Sequence, residues 1–327
     1  MTKPKVKVVV LGGTITMMPT AEGGIQPSVR GEDLVAAVPG LSDVADIDVA
    51  TPFLKPGSSL SFEDLAEVYR VVRDALDHGA AGAVVVQGTD TIDETAFVLD
   101  LLHAGSQPLV VTGAMRGAAA AGADGPANLL AAVTLAASGT PDLGACVVLN
   151  DEIHAARFVA KGHTALPSAF VSPGFGPIGH VIEGRARVPL MPRRVDAGLA
   201  GTSPPMGRVA IIKIALGDDG SLIGAALGAG YSGLVVEAMG AGHVPMAVLD
   251  AVTEAASRIP VILATRVPGG PVYRETYGFP GSERDLIARG LVPAGLLPPT
   301  KARILLSFLI AGGASAQRIS QVFAAYG

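Results

Sequence analysis

Three short stretches bring hydroxyls, a carboxylate and an amine to positions where a chain can offer them to a ligand. Gly12-Gly13-Thr14 follows the β-branched run at residues 6–11, and Gln87-Gly88-Thr89-Asp90-Thr91 follows a second run at 83–86. Lys161 comes after Asn150-Asp151, which close a further run at 145–149. A threonine hydroxyl is a weak nucleophile until a nearby base or amine takes its proton. Thr14 or Thr89 beside Asp90 and Lys161 would supply that chemistry. Each residue also has a plainer reading: a Gly-Gly-Thr turn, a helix-capping Asp90, a solvated Lys161. Their combination at strand ends, where open α/β sheets bind ligands, favours the chemical one.

Other site types find little support. The chain has no P-loop, no His-Glu-x-x-His and no Gly-x-Ser-x-Gly. Its 6 histidines are scattered and form no ligand-spaced pair with a cysteine, so no metal site is expected. A net charge of −5 and 4% aromatic residues leave neither a basic stripe nor a stacking platform for nucleic acid. Cys146 is the one cysteine, within an apolar run, which excludes an internal disulfide and suits core packing. The N-terminal Met-Thr-Lys-Pro-Lys-Val-Lys leads straight into a strand, and no stretch reaches the roughly 18 apolar residues of a membrane helix. The expected compartment is the cytoplasm, with no membrane partner.

The elements that must position these residues follow from the apolar pattern. Runs at 6–11, 83–86, 109–112 and 145–149 read as buried parallel strands. Between them, Ser61 opens a helix with Leu65, Val68, Val72 and Leu76 on one face. Thr91 and Glu94 have the spacing of a capping box, and Asp124 before Gly125-Pro126 marks a further helix start. This order predicts an α/β fold: a larger N-terminal domain with a doubly wound, mostly parallel sheet, and a smaller C-terminal α/β domain. The Pro- and Gly-rich stretch ending at Gly207 divides them, with domain one at 1–190, a linker at 191–207 and domain two at 208–327. Runs at 208–214, 233–236 and 261–264 are the second domain's strands, with helices near 245–257, 300–310 and 316–325. The hydrophobic share of 49%, against 16% charged, suits strands covered on both faces or a large subunit interface.

The chain resembles the bacterial-type L-asparaginases over nearly its whole length. Leu11-Gly12-Gly13-Thr14-Ile15 resembles the family's first signature, and Gln87-Gly88-Thr89-Asp90-Thr91-Ile92-Asp93-Glu94-Thr95-Ala96 its second. Further matches are Gly113-Ala114-Met115-Arg116, the segment from Ala123 to Leu129, Leu149-Asn150-Asp151 and Lys301-Ala302-Arg303. The resemblance implies an amidohydrolase that converts L-asparagine and water to L-aspartate and ammonia, glutamine being a side substrate. Thr14 would form the acyl-enzyme, while Thr89, Asp90 and Lys161 form a proton relay. Asp90 would also accept the substrate's α-ammonium, and Ser58, or its neighbour Ser59, its α-carboxylate. Gly88, Ala114 and Met115 would line the substrate. It further implies a homodimer or homotetramer in which the second domain of another subunit completes the site. His243, Tyr273, Glu275, Tyr277 and Glu283 are the candidates there, with Glu275 and Glu283 left as alternatives for a glutamate that reads the amino group.

One departure stands out. The family's loop after the first signature usually carries a tyrosine that hydrogen-bonds the nucleophile, and here that position is Gly24. The loop at 17–27 can still close as a lid. The phenol's role would pass to water or to another residue such as Tyr273 or Tyr277. The smaller lid also leaves open a different small amide, a lactam or a D-amino-acid derivative as substrate. A non-catalytic amino-acid-binding protein is the alternative from outside enzymology.

Overall fold

The computed structural model describes residues 2–19, 23–27, 29–200 and 207–327. Residues 20–22 of the expected lid and 201–206 of the expected linker lie outside the described residues. The chain forms two compact units, one built on residues up to Arg194 with Ala200, the other on Val195–Leu199 and residues from 207 onward.

The first unit contains, in chain order, β1 (Lys5–Val10), β2 (Met17–Pro19), β3 (Ile25–Pro27), α1 (Gly31–Ala36), α2 (Leu41–Val44), β4 (Asp46–Ala50), α3 (Phe62–Asp77), β5 (Gly82–Val86), α4 (Ile92–Leu102), β6 (Leu109–Thr112), α5 (Gly125–Ala136), β7 (Ala145–Leu149), β8 (Glu152–Ala155), β9 (Ala160–Lys161), β10 (Phe170–Val171), β11 (Gly179–Ile182) and β12 (Arg185–Arg187). Eight strands make one sheet in the order β12-β11-β8-β7-β6-β5-β1-β4. From β4 to β7 every pairing is parallel; from β7 to β12 every pairing is antiparallel. The antiparallel end was not expected, because strands of three or four residues carry too short an alternation to read.

Valine-rich β1, β5, β6 and β7 are buried on both faces, as β-branched residues in a parallel sheet should be. Val6, Val8, Val10, Val84, Val86, Val110, Cys146 and Val148 share one core with Leu34, Leu41 and Leu129 of α1, α2 and α5. The alternate residues Val9, Val85, Val111 and Val147 are equally buried, on the side where α3 and α4 pack. The expected α/β class with a doubly wound, mostly parallel sheet is what forms. Burial pushes the Cys146 thiol well above its ordinary range, consistent with a packing role.

Ser61 caps α3 as expected. Its hydroxyl accepts from Asp64 N at 3.2 Å while Asp64 Oδ2 accepts from Ser61 N at 2.9 Å, and Leu65, Val68, Val72 and Leu76 are buried. Thr91 does not cap α4: its hydroxyl turns away and donates to Gly57 O at 2.9 Å. Asp124 stands at the start of α5 but makes no capping bond, because its carboxylate is taken up by the neighbouring loop.

The second unit contains β13 (Val209–Lys213), α6 (Ser221–Gly228), β14 (Gly233–Ala238), α7 (Leu249–Arg258), β15 (Val261–Thr265), α8 (Glu283–Ala288), β16 (Val292–Pro293), α9 (Pro299–Ala311) and α10 (Ala316–Ala324). Its four strands are parallel in the order β13-β14-β15-β16. Leu234, Val236, Val261 and Leu263 pack with Ile223, Val248, Val252 and Leu286 in one core, and α9 packs against β13, β14 and β15.

Candidate active site

The chain passes from β1 to β4 on one side and then to β5 on the other side of β1. The sheet therefore reverses its winding at the β1/β5 pair, and a ligand crevice opens beyond the carboxyl ends of strands at such a point. Thr14 follows β1 and Thr89 follows β5, so both stand at that reversal.

The turn at Thr14 is held by its backbone. Gly12 and Gly13 have φ of 111° and 89°, in the region that favours glycine, and Thr14 begins a short 3-10 turn. The buried Thr16 hydroxyl donates to Gly13 O at 2.9 Å and pins this turn, a role that spacing alone did not reveal. Thr14 itself is half-buried.

Three loops meet here backbone to backbone. A Cβ at Gly13 would fall 2.2 Å from Gly88 N, one at Gly57 would fall 2.6 Å from Gly88 O, and one at Gly88 would fall 2.7 Å from Gly57 N. The Thr14, Ser58 and Thr89 loops are thereby drawn together at three side-chain-free positions. Ser58 and Ser59 are both exposed on the 3-10 turn Gly57–Ser59.

Lys161 lies on β9, paired with Phe170 of β10. Its Nζ donates to Thr89 Oγ1 at 2.9 Å and to Asp90 Oδ1 at 2.9 Å. Its backbone N–H donates to Asp93 Oδ2 at 3.4 Å, which ties the strand to the first turn of α4. Thr89 is buried, Lys161 half-buried and Asp90 exposed, so the three form a ladder from interior to surface. The strand pair carrying Lys161 has its own anchor. Ser172, just after β10, shares a 2.9 Å hydrogen bond with His154 Nδ1 on β8. Burial holds His154 below the ordinary histidine range, although the Glu152 carboxylate works to raise it.

The loop after β6 carries buried Ala114 and half-buried Met115. Asp124 accepts from Met115 N at 3.0 Å and from Arg116 N at 2.8 Å. Buried Asn128 clasps the same region: its Nδ2 donates to Gly113 O and Asp124 Oδ2 at 2.9 and 3.0 Å, while its Oδ1 accepts from Asn150 N at 2.9 Å. Asn128 was not among the residues singled out from sequence, since an asparagine inside a helix carries no local signal of remote partners such as Gly113 and Asn150.

The second unit holds the other candidates. Glu283 is fully buried at the start of α8; its Oε1 accepts from Tyr277 N at 2.7 Å and Thr276 N at 2.9 Å. Its Oε2 lies 3.3 Å from His243 Nε2 without the alignment of a hydrogen bond. Burial works to raise the Glu283 carboxyl, but these N–H donors and the His243 ring hold it below the ordinary range. The His243 ring meets Tyr277 and Phe279 edge-on at 4.9 and 5.1 Å, and Tyr273 stacks on Tyr277 at 6.5 Å. Glu275 is exposed, in contrast to Glu283. Among the described residues no group of three His, Cys, Asp or Glu is arranged to hold a metal, and no helix is long and apolar enough to cross a membrane.

Comparison with known proteins adds to this geometry. Residues 5–193 match the family model described as "Asparaginase, N-terminal", and residues 208–323 match "Glutaminase/Asparaginase C-terminal domain". The chain is 35% identical to a probable L-asparaginase of Deinococcus radiodurans, covering 98% of this chain and 97% of that protein. It is 33% identical to an L-asparaginase of Bacillus licheniformis, covering 94% and 95%. The crystal structure of the probable cytoplasmic L-asparaginase from Campylobacter jejuni superimposes with a TM-score of 0.86 at 28% identity, covering 98% of this chain and 99% of that one.

Proposed function

We propose, for a chain that belongs to the asparaginase family of amidohydrolases, that it hydrolyses L-asparagine to L-aspartate and ammonia through an acyl-enzyme on Thr14. The observation that carries the reading is the bond pair from Lys161 Nζ to Thr89 Oγ1 and Asp90 Oδ1, each 2.9 Å, beside the loop that presents Thr14.

Thr14 Oγ attacks the side-chain amide carbon, and the C–N bond then breaks to release ammonia. Water attacks the resulting ester and frees aspartate. Thr89 takes a proton from the attacking group and passes its own to Lys161, and the relay returns a proton to the departing nitrogen and then, when water attacks, to Thr14 Oγ. Asp90 orients Lys161 and accepts the substrate's α-ammonium, while Ser58 or Ser59 meets the α-carboxylate. Backbone N–H groups beside Thr89 are suited to the developing oxyanion, where each donor is commonly worth roughly 3 kcal/mol. No metal or organic cofactor enters this scheme.

Gly24 motivates a second substrate reading. It stands where the family usually carries a tyrosine, and the smaller lid residue would leave space for a different small amide, a lactam or a D-amino-acid derivative. Ammonia release from a panel of amides decides between them: asparagine should turn over fastest, and a rate no better than that of unrelated amides overturns the asparagine reading. Binding of asparagine with no turnover of any amide would instead mark a non-catalytic binder.

The same reading supports a homodimer or homotetramer in which the second domain of another copy completes the site, His243, Tyr273, Tyr277 and either Glu275 or Glu283 being the candidates. The Campylobacter relative, named as probably cytoplasmic, supports a cytoplasmic location.

A further inference from the structure

Gln87 is completely buried immediately after β5, yet uses only half of its amide. Its Nε2 donates to Gly88 O at 3.2 Å and to Thr91 Oγ1 at 3.1 Å, whereas Oε1 is buried with no hydrogen-bond partner among the described residues. The surroundings fix this orientation. Thr91 Oγ1 spends its proton on Gly57 O at 2.9 Å and can only accept from Gln87, and Gly88 O is an acceptor as well. A flipped amide would set oxygen against oxygen twice. A buried acceptor without a partner is a cost that an apolar side chain of the same shape would not carry. The position is therefore explained by its N–H donors and by what they reach.

They reach the loop that carries Ser58. The chain of bonds runs from Gln87 through the Thr91 hydroxyl to Gly57 O, and it crosses the junction where Gly57 and Gly88 touch backbone to backbone. Thr91 is the hydroxyl expected to cap α4, and it is diverted to this strut instead.

We propose that Gln87 is a positioning residue that sets the site's preference for substrates bearing an α-carboxylate, by holding the Ser58 loop at a fixed spacing from Thr89 through Thr91. This rests on the proposed asparagine hydrolysis. If the strut loosens, Ser58 and Ser59 drift relative to the acyl-transfer residues. Binding energy from a remote group is then no longer realised in the transition state. A general weakening of the Thr89 loop would slow every amide alike, so selectivity separates the two effects.

The test compares kcat/KM for L-asparagine, for 3-aminopropanamide, which lacks the α-carboxylate, and for succinamic acid, which keeps a carboxylate but lacks the amino group. The variants are Gln87→Met, Thr91→Val and the conservative Thr91→Ser. Gln87→Met and Thr91→Val should each lower the asparagine-to-3-aminopropanamide ratio by about tenfold or more, with little change in the asparagine-to-succinamic acid ratio. Thr91→Ser, which keeps the hydroxyl, should stay within about threefold of the parent on both ratios. Combining Gln87→Met with Thr91→Val should cost no more than the worse single change. A parent preference that survives in both Gln87→Met and Thr91→Val overturns the proposal alone. A parent enzyme with no preference for the carboxylate overturns it together with the asparagine reading. If Gln87→Met fails to fold, the contrast between Thr91→Val and Thr91→Ser still decides: equal ratios overturn the proposal.

Discussion

Lys161 Nζ and Thr89 Oγ1 stand 2.9 Å apart although 72 positions separate them in the chain. The contact joins a two-stranded ribbon to the loop after β5, and Asp90 closes it from the solvent side. An amine placed against a buried hydroxyl in this way is the arrangement that a proton relay needs, and it can be tested directly.

Thr14→Val and Lys161→Met should each reduce kcat for asparagine by at least about a hundredfold. The far-UV spectrum and melting temperature should remain near those of the parent, because both replacements conserve shape. The double variant should be no slower than the worse single one, since residues that act as a unit fail together. Either single variant retaining more than about a tenth of the activity, a loss of only ~1.4 kcal/mol, would exclude that residue from the relay.

The glycine junction makes a sharper steric prediction. Gly13→Ala, Gly57→Ala and Gly88→Ala each force a methyl group to within 2.2 to 2.7 Å of backbone atoms of a facing loop. Each should destabilise by about 1–3 kcal/mol and abolish most turnover. Gly139→Ala is the control: φ there is 69°, but a Cβ would meet nothing within 4 Å. It should carry only the backbone cost of roughly 1–2 kcal/mol and leave kcat unchanged. Urea midpoints and ammonia release read both effects.

Asn128→Ala removes three hydrogen bonds from a buried site and leaves Gly113 O and Asn150 N without that partner. A loss of about 2–4 kcal/mol is expected. KM should rise as well, because Asp124 and the Met115 loop lose their common anchor. A midpoint shift below about 0.5 kcal/mol would show the clasp to be dispensable.

Stability should fall in mild acid. Burial holds His103 below the ordinary histidine value of 6.5, with the charge of Arg194 acting the same way and the Gln107 carbonyl against it; His154 is lowered by burial too. As pH drops through the ordinary histidine range, the unfolded chain takes up protons that the folded chain refuses. The unfolded state then binds more protons, so unfolding free energy decreases as pH falls. Asp64 and Glu283 extend the decline to lower pH, because their carboxyls are held below the ordinary range and lose that stabilisation on protonation. Urea midpoints should drop between about pH 7.5 and about pH 5.5, and the drop should shrink in the double variant His103→Gln/His154→Gln. An unchanged drop would remove the two histidines as its source.

Much of the framework was legible in the residue order, because its signals act over a few positions. Valine runs marked the core strands, Ser61 and Asp64 marked the start of α3, and Gly12-Gly13 marked a turn that only glycine accepts. The same reasoning named Thr14, Thr89, Asp90 and Lys161 as candidates by residue type and strand-end position. It misread Thr91 as a cap and, though it placed Asp124 at a helix start, did not show where that carboxylate is spent, since a hydroxyl or carboxylate at a helix start has the right chemistry for capping whether or not another acceptor or donor competes for it. Tertiary contact alone decided those competitions, giving Thr91 to Gly57 O and Asp124 to the Met115 loop. It also separated buried Glu283 from exposed Glu275, and it brought Gly13, Gly57 and Gly88 to one point. Periodicity, caps and turns are local free-energy preferences written into neighbouring residues, whereas the choice among remote partners is made only when the sheet closes and burial makes an unpaired polar group costly.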